Sequence, residues 1–170
     1  MVVRKATTEE LDEIFVMGYD AWGGNLPLEM YLESCHASYK YRRGVFYVLE
    51  TDDCGLAASC IVYPVSLFGG AAGECAVGVG SLATAKQLRN QGNASRLLEE
   101  LIFLLEAEGV DAIFLHADID PKMYERFGFN AVPKVFRKEP AADSVPMLRL
   151  KGARAISAQV WAEVLVPEYF

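Results

Sequence analysis

A run of small and amide-bearing residues in the middle of the chain could bind a phosphate group. It comprises Arg89, Asn90, Gln91, Gly92, Asn93, Ala94 and Ser95. An amphipathic helix starts in this run, and the first turn of a helix leaves backbone N–H groups unpaired at the positive end of the helix dipole. Gly92 lets a ligand approach the backbone, Ala94 keeps the next position small, and Arg89 adds a positive charge. The run therefore predicts an anion-binding turn.

An apolar strand before the turn and a leucine-rich helix after it must hold the turn in place. The strand is predicted from Glu74 to Thr84, and the helix ends at Gly109. Within the strand, Gly78 and Gly80 fit the glycine spacing of a dinucleotide-binding turn, but such a turn requires a helix to start at that point. We instead interpret these glycines as a strand distortion or a close approach of another backbone.

Two sequence patterns resemble those of one enzyme superfamily. The first is Arg89-x-x-Gly92-x-Ala94, which resembles the pyrophosphate-binding Q/R-x-x-G-x-G/A loop of the GNAT superfamily, the acyl-CoA-dependent N-acetyltransferases. The second is Met123-Tyr-Glu-Arg-Phe-Gly-Phe129, which resembles the superfamily's Y-x-x-F/L-G-F element. Together they make a chance match improbable.

The resemblance implies an α+β (α/β three-layer) fold. Its centre is a GNAT-like mixed β-sheet, mostly antiparallel with a splayed parallel pair, flanked by helices. The resemblance covers residues 2 to about 150. We therefore expect a single N-acetyltransferase domain over 1–170, with a core fold in 1–150 and a tail of uncertain role in 151–170. We predict strands at 2–6, 45–49, 56–67, 74–84, 111–116, 130–136 and 144–150, and helices at 7–18, 28–41, after the turn, at 120–128 and from Ser157.

The cofactor implied by the resemblance is acetyl-CoA, as acyl donor. Its pantetheine arm would pair with the backbone of Leu82, Ala83 and Thr84, and its pyrophosphate would meet the turn from Arg89 to Ser95. The amide of Leu82, or one next to it, could donate to the thioester oxygen. Many members have an asparagine that contacts the cofactor just after the strand that follows. Ala117 and Asp118 occupy that segment here, and we predict Asp118 as the cofactor contact.

Tyr124 matches the tyrosine that often protonates the departing thiolate in this superfamily. A tyrosine that packs against pantetheine or the core is the alternative. The resemblance does not identify the catalytic base, because Gly78 stands where some members of the superfamily have a glutamate. Glu74 lies four residues earlier with the same side-chain parity, so it is the predicted base, with a solvated carboxylate at the strand start as the alternative. His116, at the end of the next strand, is another candidate base, with a core histidine, or one that supports another site residue, as the alternative.

The first helical region usually covers the acceptor in this superfamily. We therefore expect Trp22, Glu29 and Tyr31, together with His116, to contact substrate, with core aromatics and a solvated glutamate as the alternative. The expected reaction is acetyl transfer to the primary amine of a small or amino-acid-like acceptor by direct attack on the thioester. Protein N-terminal or lysine acetylation is one alternative, and a non-catalytic acyl-CoA-binding sensor is another.

Composition narrows the class of partner. The 170 residues are 52% hydrophobic and 23% charged, which is typical of a globular protein. The net charge of −7 disfavours nucleic-acid binding and suits a cationic amine as substrate.

No apolar run reaches the length of a membrane span, and no signal peptide is evident, so we expect a cytoplasmic protein without a membrane partner. The cysteines show no metal-ligand spacing, so no metal is expected; they are Cys35, Cys54, Cys60 and Cys75. The apolar tail could pack back on the domain or form a homodimer.

Overall fold

A computed structural model describes residues 1–53, 55–69, 75–138 and 143–168. Two of the residues singled out above, Glu74 and Cys54, lie outside these ranges. The described residues fall into two compact units, one built from 1–63 and 81–104 and the other from 64–80 and 105–170. The prediction of one domain over the whole chain stays a prediction.

The structure contains a mixed seven-stranded sheet. The strands are β1 (Val2–Lys5), β2 (Val45–Thr51), β3 (Gly55–Pro64), β4 (Ala76–Thr84), β5 (Ala112–Ala117), β6 (Asn130–Ala131) and β7 (Val145–Leu150). Their order is β1-β2-β3-β4-β5-β7-β6, and β4 and β5 are parallel. The pairs β1–β2, β2–β3, β5–β7 and β6–β7 are antiparallel. This confirms the predicted fold class, a mostly antiparallel sheet with one parallel pair and flanking helices.

Seven α-helices accompany the strands in the described residues. They are α1 (Leu11–Met17), α2 (Tyr19–Trp22), α3 (Leu28–Ala37), α4 (Tyr39–Arg43), α5 (Asn93–Ala107), α6 (Lys122–Glu125) and α7 (Ala158–Glu163). The helix predicted over 28–41 is divided, because Ser38 has an extended backbone between α3 and α4. Within the described residues, none of these helices combines the length and apolar character needed to cross a bilayer.

The strand predicted over 130–136 is wrong beyond its first two residues. Only Asn130 and Ala131 pair, with β7, and a 3₁₀ turn follows at Lys134–Phe136. Pro133 precedes that turn with φ −58°. Because a proline has no N–H to donate to a ladder, it ends the strand where the apolar residue pattern alone would continue it.

The first unit is stabilised at its start by a capping box. The Glu10 carboxylate accepts from the Thr7 backbone N–H at 2.8 Å, as the threonine and glutamate spacing predicts. The same carboxylate binds the Arg4 guanidinium through two hydrogen bonds of 2.6 and 2.9 Å. These bonds, from Arg4 first and then from Thr7, lower the pKa of Glu10 to about 2.

We expect Glu10→Gln to remove a pH-dependent part of the stability. A carboxyl with a lowered folded pKa stabilises the fold above its unfolded value, about 4.3, and loses that stabilisation as the pH falls toward about 2. Because solvent screens the pair, the loss at pH 7 should be about 1 kcal/mol. Urea unfolding at pH 7, 4 and 2.5 measures it, with the exposed Glu13→Gln as the control. A variant whose deficit is unchanged at pH 2.5 would contradict this account.

An apolar cluster fills the first unit. It joins α1 and α3 to β2, β3 and the end of β4, and its buried members are Ile14, Phe15, Met17, Tyr31, Cys35, Phe46, Val48, Leu56, Ile61, Ala83 and Ala85. Phe15 is central to its aromatic part, stacking on Tyr41 at 5.3 Å and meeting Phe46 edge-on at 5.7 Å. The end of β4 is therefore anchored to a packed core just before the turn at residues 89–95.

The second unit includes the C-terminal tail in its core. Trp161, Val164 and Val166 are buried together with Phe114 of β5 and Leu148 of β7. The Ser157 side chain caps α7 by accepting from the Val160 N–H at 3.3 Å, as predicted. The tail thus packs back on its own chain, and the homodimer stays a prediction.

Candidate functional site

The turn between β4 and α5 has two residues in the left-handed backbone region. They are Asn90, with φ 60°, and Gly92, with φ 83°. A Cβ on Gly92 would meet no atom within 4 Å, so the space beside the turn is open. The helix α5 begins at Asn93 and runs for 15 residues, so its first turn adds unpaired N–H groups next to this space.

Amide side chains hold the turn from inside. The buried Asn93 donates from Nδ2 to the Leu88 carbonyl at 2.9 Å. Gln91 donates from Nε2 to the Gln87 carbonyl at 3.3 Å. These two bonds satisfy the carbonyl groups of Gln87 and Leu88, which precede the start of α5. Asn93 thus has a supporting role in addition to the predicted cofactor contact.

The Arg89 side chain is engaged by the protein itself. Its guanidinium forms a fork with the Asp20 carboxylate, with distances of 2.6 and 2.9 Å. It also donates to the carbonyls of Met17, at 3.1 Å, and Thr84, at 3.2 Å. The sequence predicted a positive charge facing a phosphate, whereas the structure places this charge against a carboxylate 69 residues away.

The backbone of β4 leaves the extended region at Ser81, one residue after Gly80, and at neither Gly78 nor Gly80, where a strand distortion was one of the two predictions. Ser81 has φ 48°, which non-glycine residues adopt rarely. Beyond it, Ala83 is buried and Leu82 and Thr84 are partly exposed at the end of β4. No helix starts at Gly80, in agreement with our rejection of a dinucleotide-binding turn there.

The parallel ladder of the second unit is short. It joins Ala76–Gly78 of β4 to Ala112–Phe114 of β5, so Gly78 stands at its last pair. Strand β5 continues to Ala117, where it is still paired with β7 on its other side. His116 and Asp118 therefore follow the end of the parallel ladder.

Tyr124 is buried on the short helix α6 of the second unit, with 7% of its surface exposed. Burial, with a smaller contribution from the nearby Asp118 carboxylate, raises the pKa of its phenol to about 12. Its ring meets Phe129 edge-on at 6.2 Å. Among the residues that the structure describes, none forms a hydrogen bond with its hydroxyl. A buried, protonated phenol whose hydroxyl has no partner among the described residues can donate to a group that enters the site.

His116 lies beside the same carboxylate. Burial lowers the pKa of its imidazole, while the backbone of Pro167, the Asp118 carboxylate and the backbone of Glu168 act in the opposite direction. Its ring also meets Phe114 edge-on at 5.2 Å. A lowered pKa keeps the imidazole neutral at pH 7, which is the form that accepts a proton. The structure thus brings Tyr124, Asp118 and His116 together in the second unit.

The three acceptor candidates in the first unit have different environments. Tyr31 is 4% exposed, donates its hydroxyl to the Phe15 carbonyl at 3.2 Å and packs on Tyr19, which favours the alternative role of a core residue. Trp22, at the end of α2, is 44% exposed, and Glu29 is exposed on α3. These two side chains remain accessible to a ligand.

Two contributors to the candidate site are not predicted by the sequence. Asp20 was not singled out, because nothing local connects a carboxylate in α2 with a turn 69 residues later. The backbone of Pro167 and Glu168 beside His116 was also missed. The apolar character of the tail predicts that the tail is buried, but it does not predict which residues the tail contacts.

Comparison with known proteins gives a family match. Residues 2–132 match the family model described as an acetyltransferase (GNAT) domain. No curated protein sequence matches the chain significantly.

Several solved structures share the fold. YhbS, a GNAT family N-acetyltransferase of Escherichia coli solved with CoA, is 19% identical over 96% of this chain and 85% of its own, with a TM-score of 0.66. A GNAT family acetyltransferase of Brucella melitensis solved with acetyl-CoA is 19% identical over 89% and 88%, with a TM-score of 0.62. A chimera of the spermidine N-acetyltransferase SpeG of Vibrio cholerae and hSSAT is 14% identical over 89% and 96%, with a TM-score of 0.64.

The family model covers far more than half of the chain, and it includes the turn and Tyr124. The fold predicted from the two motifs is the fold observed. The chain therefore belongs to the GNAT acetyltransferase family.

Proposed function

We propose that this protein is an N-acetyltransferase that transfers the acetyl group of acetyl-CoA to the primary amine of a small or amino-acid-like acceptor. The observation that carries the proposal is the turn of residues 89–95, with its two left-handed residues, open space at Gly92 and the start of a 15-residue helix. Such an arrangement suits the pyrophosphate of a CoA thioester. The family supports the acyl transfer, and two fold relatives were solved with CoA or acetyl-CoA.

The chemical step is a direct attack of the neutral amine on the thioester carbonyl. A C–N bond forms, the C–S bond breaks, and the electron pair leaves with the sulfur as a thiolate. We assign Tyr124 as the donor to this thiolate, because its hydroxyl has no other partner among the described residues. The phenol pKa, about 12, lies above that of a thiol, about 8.5, so the phenol keeps its proton and stabilises the thiolate as a hydrogen-bond donor.

The acceptor nitrogen must lose two protons, one to become the neutral amine before the attack and one as the amide forms. The second proton can neutralise the departing thiolate, which gives the free thiol. A free alkylamine has a pKa of about 10.4, so about one molecule in a thousand or fewer is neutral at pH 7. Burial keeps His116 neutral, and we assign it as a candidate proton acceptor, directly or through water. Glu74 remains the other candidate from the sequence. We assign Trp22 and Glu29 as acceptor contacts, because an exposed indole and a carboxylate can bind an ammonium group.

The test is calorimetric titration with acetyl-CoA, followed by an assay of thiol release with a panel of amines, amino acids and peptides. Binding together with release that depends on a small amine is the expected result. Release only with peptides would favour protein acetylation, and binding without release would favour a sensor. An absence of acetyl-CoA binding would refute the assignment of the turn.

A further inference from the structure

The guanidinium of Arg89 is almost fully occupied within the first unit. Four of its N–H groups donate, two to Asp20, one to the Met17 carbonyl and one to the Thr84 carbonyl. Arginine has five such groups, so little donor capacity remains for a ligand. The Asp20 carboxylate also cancels the charge, so the pair offers no net positive charge to a phosphate.

We propose that Arg89 and Asp20 act as positioning residues for the cofactor turn, and that the affinity for acetyl-CoA depends on Asp20 although Asp20 does not touch the cofactor. This inference rests on the proposed function. Backbone N–H groups then attract the pyrophosphate, and the ion pair between Arg89 and Asp20 fixes the shape of the turn that presents these groups.

The geometry of the turn explains why it needs an external anchor. Asn90 and Gly92 both occupy the left-handed region, so the free chain would have to give up many other conformations to present this shape. Asn93 fixes the far end of the turn through the Leu88 carbonyl. Arg89 fixes the near end, because a guanidinium–carboxylate fork has one preferred geometry.

The same bonds connect the turn with the end of α1 and with α2. Met17 is the last residue of α1, and Asp20 lies in α2, two residues before the exposed Trp22. Coupling between two sites is reciprocal. A cofactor that favours the anchored turn should therefore also stabilise α2, and we expect slower amide hydrogen exchange at Tyr19–Trp22 when acetyl-CoA is bound.

The decisive experiment is calorimetric titration of Asp20→Asn with acetyl-CoA, because the two explanations predict opposite signs. If Arg89 were a direct phosphate contact, removal of Asp20 would free its charge and strengthen binding. If the pair positions the turn, Asp20→Asn should weaken binding about fivefold, since the remaining amide cannot hold the charged fork. Asp12→Asn, which removes an exposed carboxylate paired with His36, is the matched control and should leave the affinity unchanged.

A second set of variants separates positioning from a loss of folding. Arg89→Lys keeps the charge but loses the fork, so it should weaken binding about as much as Asp20→Asn, and the double variant should be little worse than either. Asp20→Glu should retain most of the affinity. At saturating acetyl-CoA the Asp20→Asn enzyme should keep its kcat while its KM for acetyl-CoA rises about fivefold. Damage to folding would lower the active fraction and leave the KM unchanged.

The results separate the two proposals. If wild type binds acetyl-CoA and Asp20→Asn binds equally or more tightly, the positioning role is wrong and the proposed function stands. If wild type does not bind acetyl-CoA, the proposed function itself fails. Full affinity in Arg89→Lys would likewise overturn the positioning role, because the charge alone would then suffice.

Discussion

Tyr124→Phe should lower kcat about a hundredfold while leaving acetyl-CoA affinity within about twofold of wild type. The substitution removes one hydroxyl whose hydrogen-bond partner is not found among the described residues, and the ring keeps its edge-on contact with Phe129. The loss should therefore appear in turnover and not in folding. Steady-state kinetics of thiol release, together with calorimetric affinity, measures both effects.

The control for this variant is Tyr39→Phe, which removes an exposed hydroxyl from α4 and should not change turnover. The pH profile gives an additional check. Because burial raises the pKa of Tyr124 to about 12, the phenol stays protonated throughout an assay from about pH 6 to 10, and the rate should rise as the acceptor amine loses its proton. Tyr124→Phe should show the same pH profile as wild type at lower rates. Wild-type turnover in Tyr124→Phe would exclude the donor role.

The second large effect is expected at the turn. Gly92→Glu should weaken acetyl-CoA binding at least about a hundredfold, because it places a carboxylate in the open space next to the helix start and repels the pyrophosphate. The φ of 83° also makes any side chain with a Cβ unfavourable, by about 1–2 kcal/mol. Calorimetry of the folded variant measures the affinity, and thermal unfolding measures the strain.

The chain offers a matched control for strain. Gly109, just after the other end of α5, has φ 94° and also open space where a Cβ would stand. Gly109→Glu should therefore lose comparable stability without losing affinity. Gly92→Asn tests the charge separately, because asparagine tolerates the left-handed region and carries no charge. If Gly92→Glu and Gly109→Glu bind acetyl-CoA equally well, the turn is not the pyrophosphate site.

The structure also clarifies which residues near Tyr124 were predictable. Tyr124 itself was found from a local pattern of seven residues, since the motif fixes the short helix α6 and the turn that follows it up to Gly128. The neighbours Asp118 and His116 were named from their place after a strand. The tail backbone beside His116 was not, because its position depends on burial of Trp161 and Val166 in a core made by distant strands.

Local chemistry determined most of the secondary structure and the family. The capping box at Thr7, the leucine stripe of α5 and the cap at Ser157 are encoded within a few residues of each other, and each formed as predicted. Local patterns failed where two signals compete over a short span, as at Ser38 and Pro133, where backbone preference ended an element that the apolar pattern would have continued.

Tertiary structure alone decided how the charged and aromatic side chains are used. The sequence predicted Arg89 as a phosphate contact and Tyr31 as an acceptor contact, whereas folding brings Asp20 to the arginine and places the tyrosine hydroxyl on the Phe15 carbonyl. The physical reason is that a guanidinium or a phenol binds whichever partner lies nearest in space. Turns, caps and strands depend on neighbours in sequence, and these pairings depend on neighbours brought together by the core.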